Sequence, residues 1–126
     1  MSRVRSSGNH TTELLFIQLL RIARISGWRR GSLLPGRPDF VFVTEKVAVH
    51  VDGCFWHGCA VCNRRLPVAN RTLWAEKISG NRARDRRVDR QLRARGWSVV
   101  RVWEHELRVS RDDVVRRLVR SLRQRP

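Results

Sequence analysis

No apolar run in this 126-residue chain approaches the roughly 20 residues that a membrane-spanning helix needs, so a membrane protein is not expected. The opening stretch "MSRVRSSGNHTTE" also lacks the apolar segment of a secretory signal. The expectation is a soluble, cytosolic protein. Cysteine is scarce: the chain has three, all between Cys54 and Cys62. In a reducing compartment, clustered thiols point to metal before disulfides. Acidic residues are few, 11 Asp+Glu against 27 Lys+Arg, for a formal net charge of +16. Lysine is scarcer still, only Lys46 and Lys77, so the positive charge belongs to arginine. Such a field suits nucleic acid, an anionic membrane or an acidic protein. Arginine's planar fork matches phosphate oxygens, which favours nucleic acid over a merely solvated basic surface. There is no internal repeat, and the length suits one domain with a single core.

Residues 1–10 read as a flexible basic leader, and 11–126 as the single domain. "TTELLFIQLLRIARISGW" predicts a helix over about 11–26. Thr11 or Thr12 is its expected cap, Glu13 lies in its first turn, and Gly27 is its expected end. Apolar positions nearly encircle this helix, so much of it is expected to be buried. "GSLLPGRP" is a loop rich in turn residues. "DFVFV" and "VAVHVD", separated by "TEK", predict a β-hairpin. By the two-residue period Val47, Val49 and Val51 share one face, while Ala48, His50 and Asp52 share the other. The second face is the polar one and is expected to border the functional site. A long helix follows over about 72–95, weakened at Gly80 and closed by Gly96. "WSVVRVW" is a strand. Ser110 is placed to cap a last helix whose inner stripe is Val114, Val115, Leu118, Val119 and Leu122. The order α-β-β-α-β-α, with a strand, long helix and strand in succession, predicts a crossover to a parallel neighbour.

The chemistry is concentrated in "HVDGCFWHGCAVC", residues 50–62. Cys54-x4-Cys59-x2-Cys62 contains a C-x2-C element, in which two thiolates on a tight turn can reach one tetrahedral zinc ion. A fourth ligand is required, and the spacing leaves His50, His57 and His105 all open. "PGRPDF" places Asp39 at the mouth of an apolar strand, where a carboxylate is available to a hard cation such as magnesium. An isolated Pro-Asp is more often a loop cap. Asp39, however, lies one short hairpin from His50 and Asp52, and two carboxylates with an imidazole are the minimum for metal-assisted hydrolysis of a phosphodiester. Phe55 and Trp56 in the loop, and Trp74 at the start of the long helix, can stack on bases or wedge between base pairs, or else pack over the core. Trp28, Trp97 and Trp103 are core or strand residues. The long helix carries Lys77 and many arginines, interleaved with Asn81 and Asp85. It can contact phosphates and base edges, or be a solvated face tied by local pairs such as Arg86 with Asp89.

"LPGRPDFVF", "DGCFWHGC", "LWAEKISGNRARDRR" and "GWSVVRVWEHEL" occur in this order from about Thr12 to Leu107. As an ordered set they resemble the very short patch repair (Vsr) DNA mismatch endonucleases. The resemblance implies an α/β, restriction-endonuclease-like three-layer fold of the PD-(D/E)xK type: a small mixed sheet flanked by helices, with a structural zinc site. It implies magnesium-dependent nicking of double-stranded DNA, 5′ to the thymine of a T:G mismatch. Asp39 matches the metal-binding aspartate, and the position of Val51 supplies a backbone carbonyl to magnesium. His57 matches the histidine proposed to activate water. Asp85 and Glu13 match acidic residues that support the site, and Asp52 joins them. The family's last zinc ligand falls at His105, completing a Cys3His set with Cys54, Cys59 and Cys62. Phe55, Trp56 and Trp74 match intercalating aromatics, and Lys77 and Asn81 match contacts to the mismatched pair. Asp52 departs from the pattern, standing where the best-known members have a histidine.

The leading expectation is therefore a Mg2+-dependent nicking endonuclease with a structural Zn2+. A nick needs one active site, so a monomer is expected. It would act in a bacterial cytoplasm near the nucleoid, where mismatch-repair proteins are further candidate partners. The alternatives are a restriction or defence nuclease with another DNA target, and a zinc-stapled DNA-binding module without activity.

Overall fold

The computed structural model describes residues 2–30, 33–54 and 70–124, with side chains from residue 11 onward. The elements are α1 (Ser2–Ile22), β1 (Trp28–Arg30), β2 (Phe40–Phe42), β3 (Val47–Asp52), α2 (Arg71–Ala94), β4 (Ser98–Trp103), α3 (Glu106–Val109) and α4 (Arg111–Arg123). The strands form one sheet in the order β1-β2-β3-β4. β1, β2 and β3 are successively antiparallel, whereas β3 and β4 run parallel, with Val47 opposite Ser98 and Asp52 opposite Trp103. The expected hairpin and the α2 crossover to a parallel neighbour are both present. The chain is a small mixed α/β protein, its sheet flanked by helices. Among the described residues no helix is long and apolar enough to cross a membrane.

The two faces of the sheet follow the alternation of its strands. Phe40, Phe42, Val47, Val49, Val51, Val100 and Val102 form the main core with Phe16, Leu20, Leu107, Val114 and Leu118 from α1, α3 and α4. Phe16 meets Phe40 at 5.0 Å between ring centroids, a tilted contact worth about 0.5–1.5 kcal/mol beyond the area it buries. On the opposite face Val41 and Ala48 pack against Val88 and Leu92 of α2, with Leu34, Trp97 and Val99 around them. The face expected to border the site is thus the one that receives α2.

Several boundaries differ from the sequence reading. α1 starts at Ser2, inside the stretch read as a leader, so Thr12 is a buried helix-interior residue and not a cap. It ends at Ile22 because Arg24 turns left-handed (φ 58). The Arg24 amide then donates to the Arg21 carbonyl and the Ile25 amide to the Leu20 carbonyl, the double bond of a Schellman cap. Burial along α1 is one-sided: Phe16, Ile17, Leu19 and Leu20 are covered, while Leu14 and Ile22 are 47% and 74% exposed. β1 was not foreseen, because "WRR" has no alternation. It forms by pairing Trp28 with Phe42 and setting the Trp28 ring edge-on against Phe40 at 5.5 Å. Ser110 occupies the N-cap position of α4 but makes no side-chain cap bond. Gly96 does close α2: at φ 86 it lets the Trp97 amide reach the Leu92 carbonyl at 3.0 Å.

Candidate active site

Asp39 precedes β2 at the end of the sheet where β3 finishes. The pairing of Phe40 with Val49 brings it beside the β3 backbone, and its Oδ2 accepts a hydrogen bond from the Val51 amide at 2.7 Å. Two sequence-expected magnesium positions, Asp39 and Val51, are therefore in direct contact. Glu13 comes from α1 on the main-core side. It hydrogen-bonds Asp39, and its carboxylate is also paired with Arg30 of β1. Asp39 is pushed from 3.8 up to about 7, chiefly by burial. The Val51 amide opposes that rise, and the negative charges of Glu13 and Asp52 add to it. Asp39 is thus a poorly solvated carboxyl group within electrostatic reach of two others, Glu13 paired with Arg30 and Asp52 paired with Arg101; among the described residues no three such side chains are grouped closely enough to hold a metal ion.

Asp52, only 5% exposed, lies near enough to act on Asp39, but its carboxylate is held from another direction. Arg101 Nη1 donates to both of its oxygens, at 3.1 and 2.9 Å. The same guanidinium makes a forked contact with Asp89 of α2, through Nε at 3.0 Å and Nη2 at 2.8 Å. It also reaches the Asp85 carbonyl at 3.3 Å and the Asp85 carboxylate at 3.7 Å. Asp85, expected to support the site, joins it through Arg101. Burial works against the charge on Arg101, but the Asp89 hydrogen bond and the charges of Asp52, Asp85 and Asp89 raise its pKa above the ordinary value. Asp89 thus pairs with β4 instead of with its helix neighbour Arg86. The sequence reading missed Arg101 and Arg30. The signal for Arg101 was a lone charge inside the apolar strand "SVVRVW": a charge on a covered sheet face requires carboxylate partners.

At the end of β4, the His105 Nδ1 lies 3.3 Å from the Sγ of the buried Cys54. Two ligands on one tetrahedral zinc stand about 3.5 Å apart, given metal–sulfur and metal–nitrogen distances of about 2.3 and 2.0 Å. These donors therefore fit the group. Phe55, Trp56, His57, Cys59 and Cys62 lie outside the described residues. Trp74 is half-buried on α2 with the Lys77 ammonium 5.7 Å from its ring centroid, and the Asn81 Oδ1 accepts from Arg84 at 3.1 Å.

The sequence profile of the family described as DNA mismatch endonuclease Vsr matches residues 1–64. The type II nicking enzyme V.NaeI of Lentzea aerocolonigenes is 47% identical over 78 residues, 62% of this chain and 46% of that one. The DNA mismatch endonuclease Vsr of Escherichia coli strain K12 is 43% identical over 75 residues, 60% of this chain and 48% of its own. The type II nicking enzyme V.HpaIIP of Haemophilus parainfluenzae is 34% identical over 101 residues, 78% of this chain and 72% of its own. This chain spans about half the length of the first two relatives. Matches of this identity and reach identify the chain as a member of the Vsr family of DNA mismatch endonucleases.

Proposed function

We propose that this protein is a magnesium-dependent DNA nicking endonuclease with a structural zinc, cutting the phosphodiester 5′ to the thymine of a T:G mismatch in very short patch repair. The observation that carries the reading is the contact of the half-buried Asp39 with the Val51 backbone and with Glu13, at the end of a four-stranded sheet. Family membership supplies the reaction class, and the mixed sheet with helices on both faces is consistent with a restriction-endonuclease-like core. Asp39 and the Val51 carbonyl would hold magnesium, which when bound supplies positive charge at the scissile phosphate. His57 would take the proton of the attacking water. Glu13 and Asp85 would support the site, the first through Asp39 and the second through Arg101. Cys54 and His105 would hold zinc with Cys59 and Cys62, joining the end of β3 to the end of β4. Phe55, Trp56 and Trp74 would open the duplex at the mismatch, with Lys77 and Asn81 against the mismatched pair. The exposed arginines of α2, such as Arg82, Arg86 and Arg90, would track the phosphates. Mismatch-repair proteins of the bacterial nucleoid are the natural further partners, and a single cut requires only a monomer.

The test is incubation of the wild-type protein and Asp39→Ala with magnesium and labelled duplexes carrying T:G, another mismatch or none. The expected product is one Asp39-dependent nick, found on the T:G duplex. Absence of nicking on every duplex overturns the enzyme reading. Equal nicking of matched DNA overturns mismatch specificity alone. That second outcome favours another target, a reading motivated by the relatives named as type II nicking enzymes.

A further inference from the structure

Helix α2 has two tasks along its length. Val88 and Leu92, in its C-terminal half, pack on the sheet beside Val41 and Ala48. Trp74, Lys77 and Asn81, the residues assigned to DNA, lie in its N-terminal half. From Asp89 to Trp74 the helix rises about 22 Å, at 1.5 Å per residue. A tilt of about 5° at the sheet would then displace Trp74 by about 2 Å. Apolar packing of valine and leucine is not directional and tolerates such a tilt. What can resist it is the forked grip of one guanidinium on two elements at once. Arg101 makes bonds of 2.8–3.1 Å to both oxygens of Asp89 on α2 and to both oxygens of Asp52 on β3. A planar fork restrains the angle between its partners as well as their distance, which an ammonium does not.

We propose that Arg101 is a positioning residue for the nicking reaction: through Asp52 and Asp89 it sets the orientation of α2 relative to the cutting end of the sheet. This rests on the nuclease reading above. Arg101 touches neither DNA nor metal in this role; it aligns the base-reading residues with Asp39. Its loss therefore lowers the rate of cutting on DNA already bound more than it lowers affinity, because affinity comes from many phosphate contacts spread over a basic surface.

Three variants test this without dismantling the site. Arg101→Lys keeps the charge and loses the fork; Asp89→Asn weakens only the helix end of the grip; the third combines the two. Circular dichroism establishes that each folds. Single-turnover nicking at saturating duplex gives the rate, and titration of the same duplex without magnesium gives Kd. We expect each single variant to lose about ten- to a hundred-fold in rate, the scale of an ångström-sized misplacement, with Kd changed less than about three-fold. The double variant should lose little more, since both changes break one grip. Rates within about two-fold of wild type, losses that multiply in the double variant, or a rise in Kd matching the fall in rate would each overturn the proposal. Should the wild type cut no duplex at all, the nuclease reading fails and this one with it. A wild type that cuts, beside an Arg101→Lys variant that cuts as fast, overturns the positioning role alone.

Discussion

Asp39 in the folded protein keeps a proton that a solvent-exposed aspartate would release near pH 4. Its pKa of about 7 lies above the ordinary 3.8, so the folded state binds more protons than the unfolded state between those values. Stability contributed by this group is complete below about pH 4 and falls as pH rises toward 7, at up to about 1.4 kcal/mol per pH unit. Asp39→Asn removes the ionisation and retains an oxygen for the Val51 amide. In chelator-treated protein this variant should melt higher than wild type at pH 8, by several degrees, and should show a much smaller advantage at pH 5. It should also fail to nick. Equal melting temperatures at pH 8 would contradict the burial of a titrating carboxyl group. Asp39 was legible in the sequence because Pro-Asp at the head of "FVF" places a carboxylate at a strand mouth. Arg101 was visible only as an oddity, since its partners are 12, 16 and 49 residues away in the chain.

At the scale of elements, the periodicity of side chains identified α2, the hairpin and the last helix, because each buries one face and the apolar residues mark it. Ends were less legible. A glycine in the sequence suggested that α1 stops at Gly27; Gly27 is left-handed (φ 88), yet the helix has already ended at Ile22, where the left-handed Arg24 (φ 58) forms the cap and Ile25 behind it packs on the core. Gly36 shows the opposite case. Its φ is 75, and a Cβ there would fall 2.4 Å from a methyl carbon of Val88. The loop that leads to Asp39 can approach α2 this closely only without a side chain. Gly36→Ala should therefore destabilise the protein by about 1–3 kcal/mol, through left-handed strain and overpacking together. Urea unfolding would measure it. A change below about 0.5 kcal/mol, the level of an ordinary surface substitution, would show that the loop moves away at little cost.

For the whole molecule, the parallel β3–β4 pair leaves the two halves of the proposed zinc site at neighbouring strand ends, with Cys54 after one strand and His105 after the other. A metal held there would close a loop of some fifty residues, and its binding energy would add to folding energy. Reduced, carefully purified protein should contain about one zinc per chain, and His105→Ala should lose it and melt at a lower temperature. A metal-free wild type, or a His105→Ala variant with full zinc and unchanged melting, would reject the site. By itself the sequence determined the net charge of +16, the alternating faces of β2 and β3, the amphipathic last helix and the family. These depend on composition, on short-range periodicity and on ordered local motifs, all of which are properties of neighbours in the chain. Only the tertiary structure decided that Glu13, Asp39, Val51 and Asp52 meet at one end of the sheet, that α2 covers the polar face, and that Asp52, Asp85 and Asp89 share a single arginine. Those contacts follow from strand order and register. A one-residue slip of β3 or β4 would turn Asp52 or Arg101 to the other face of the sheet.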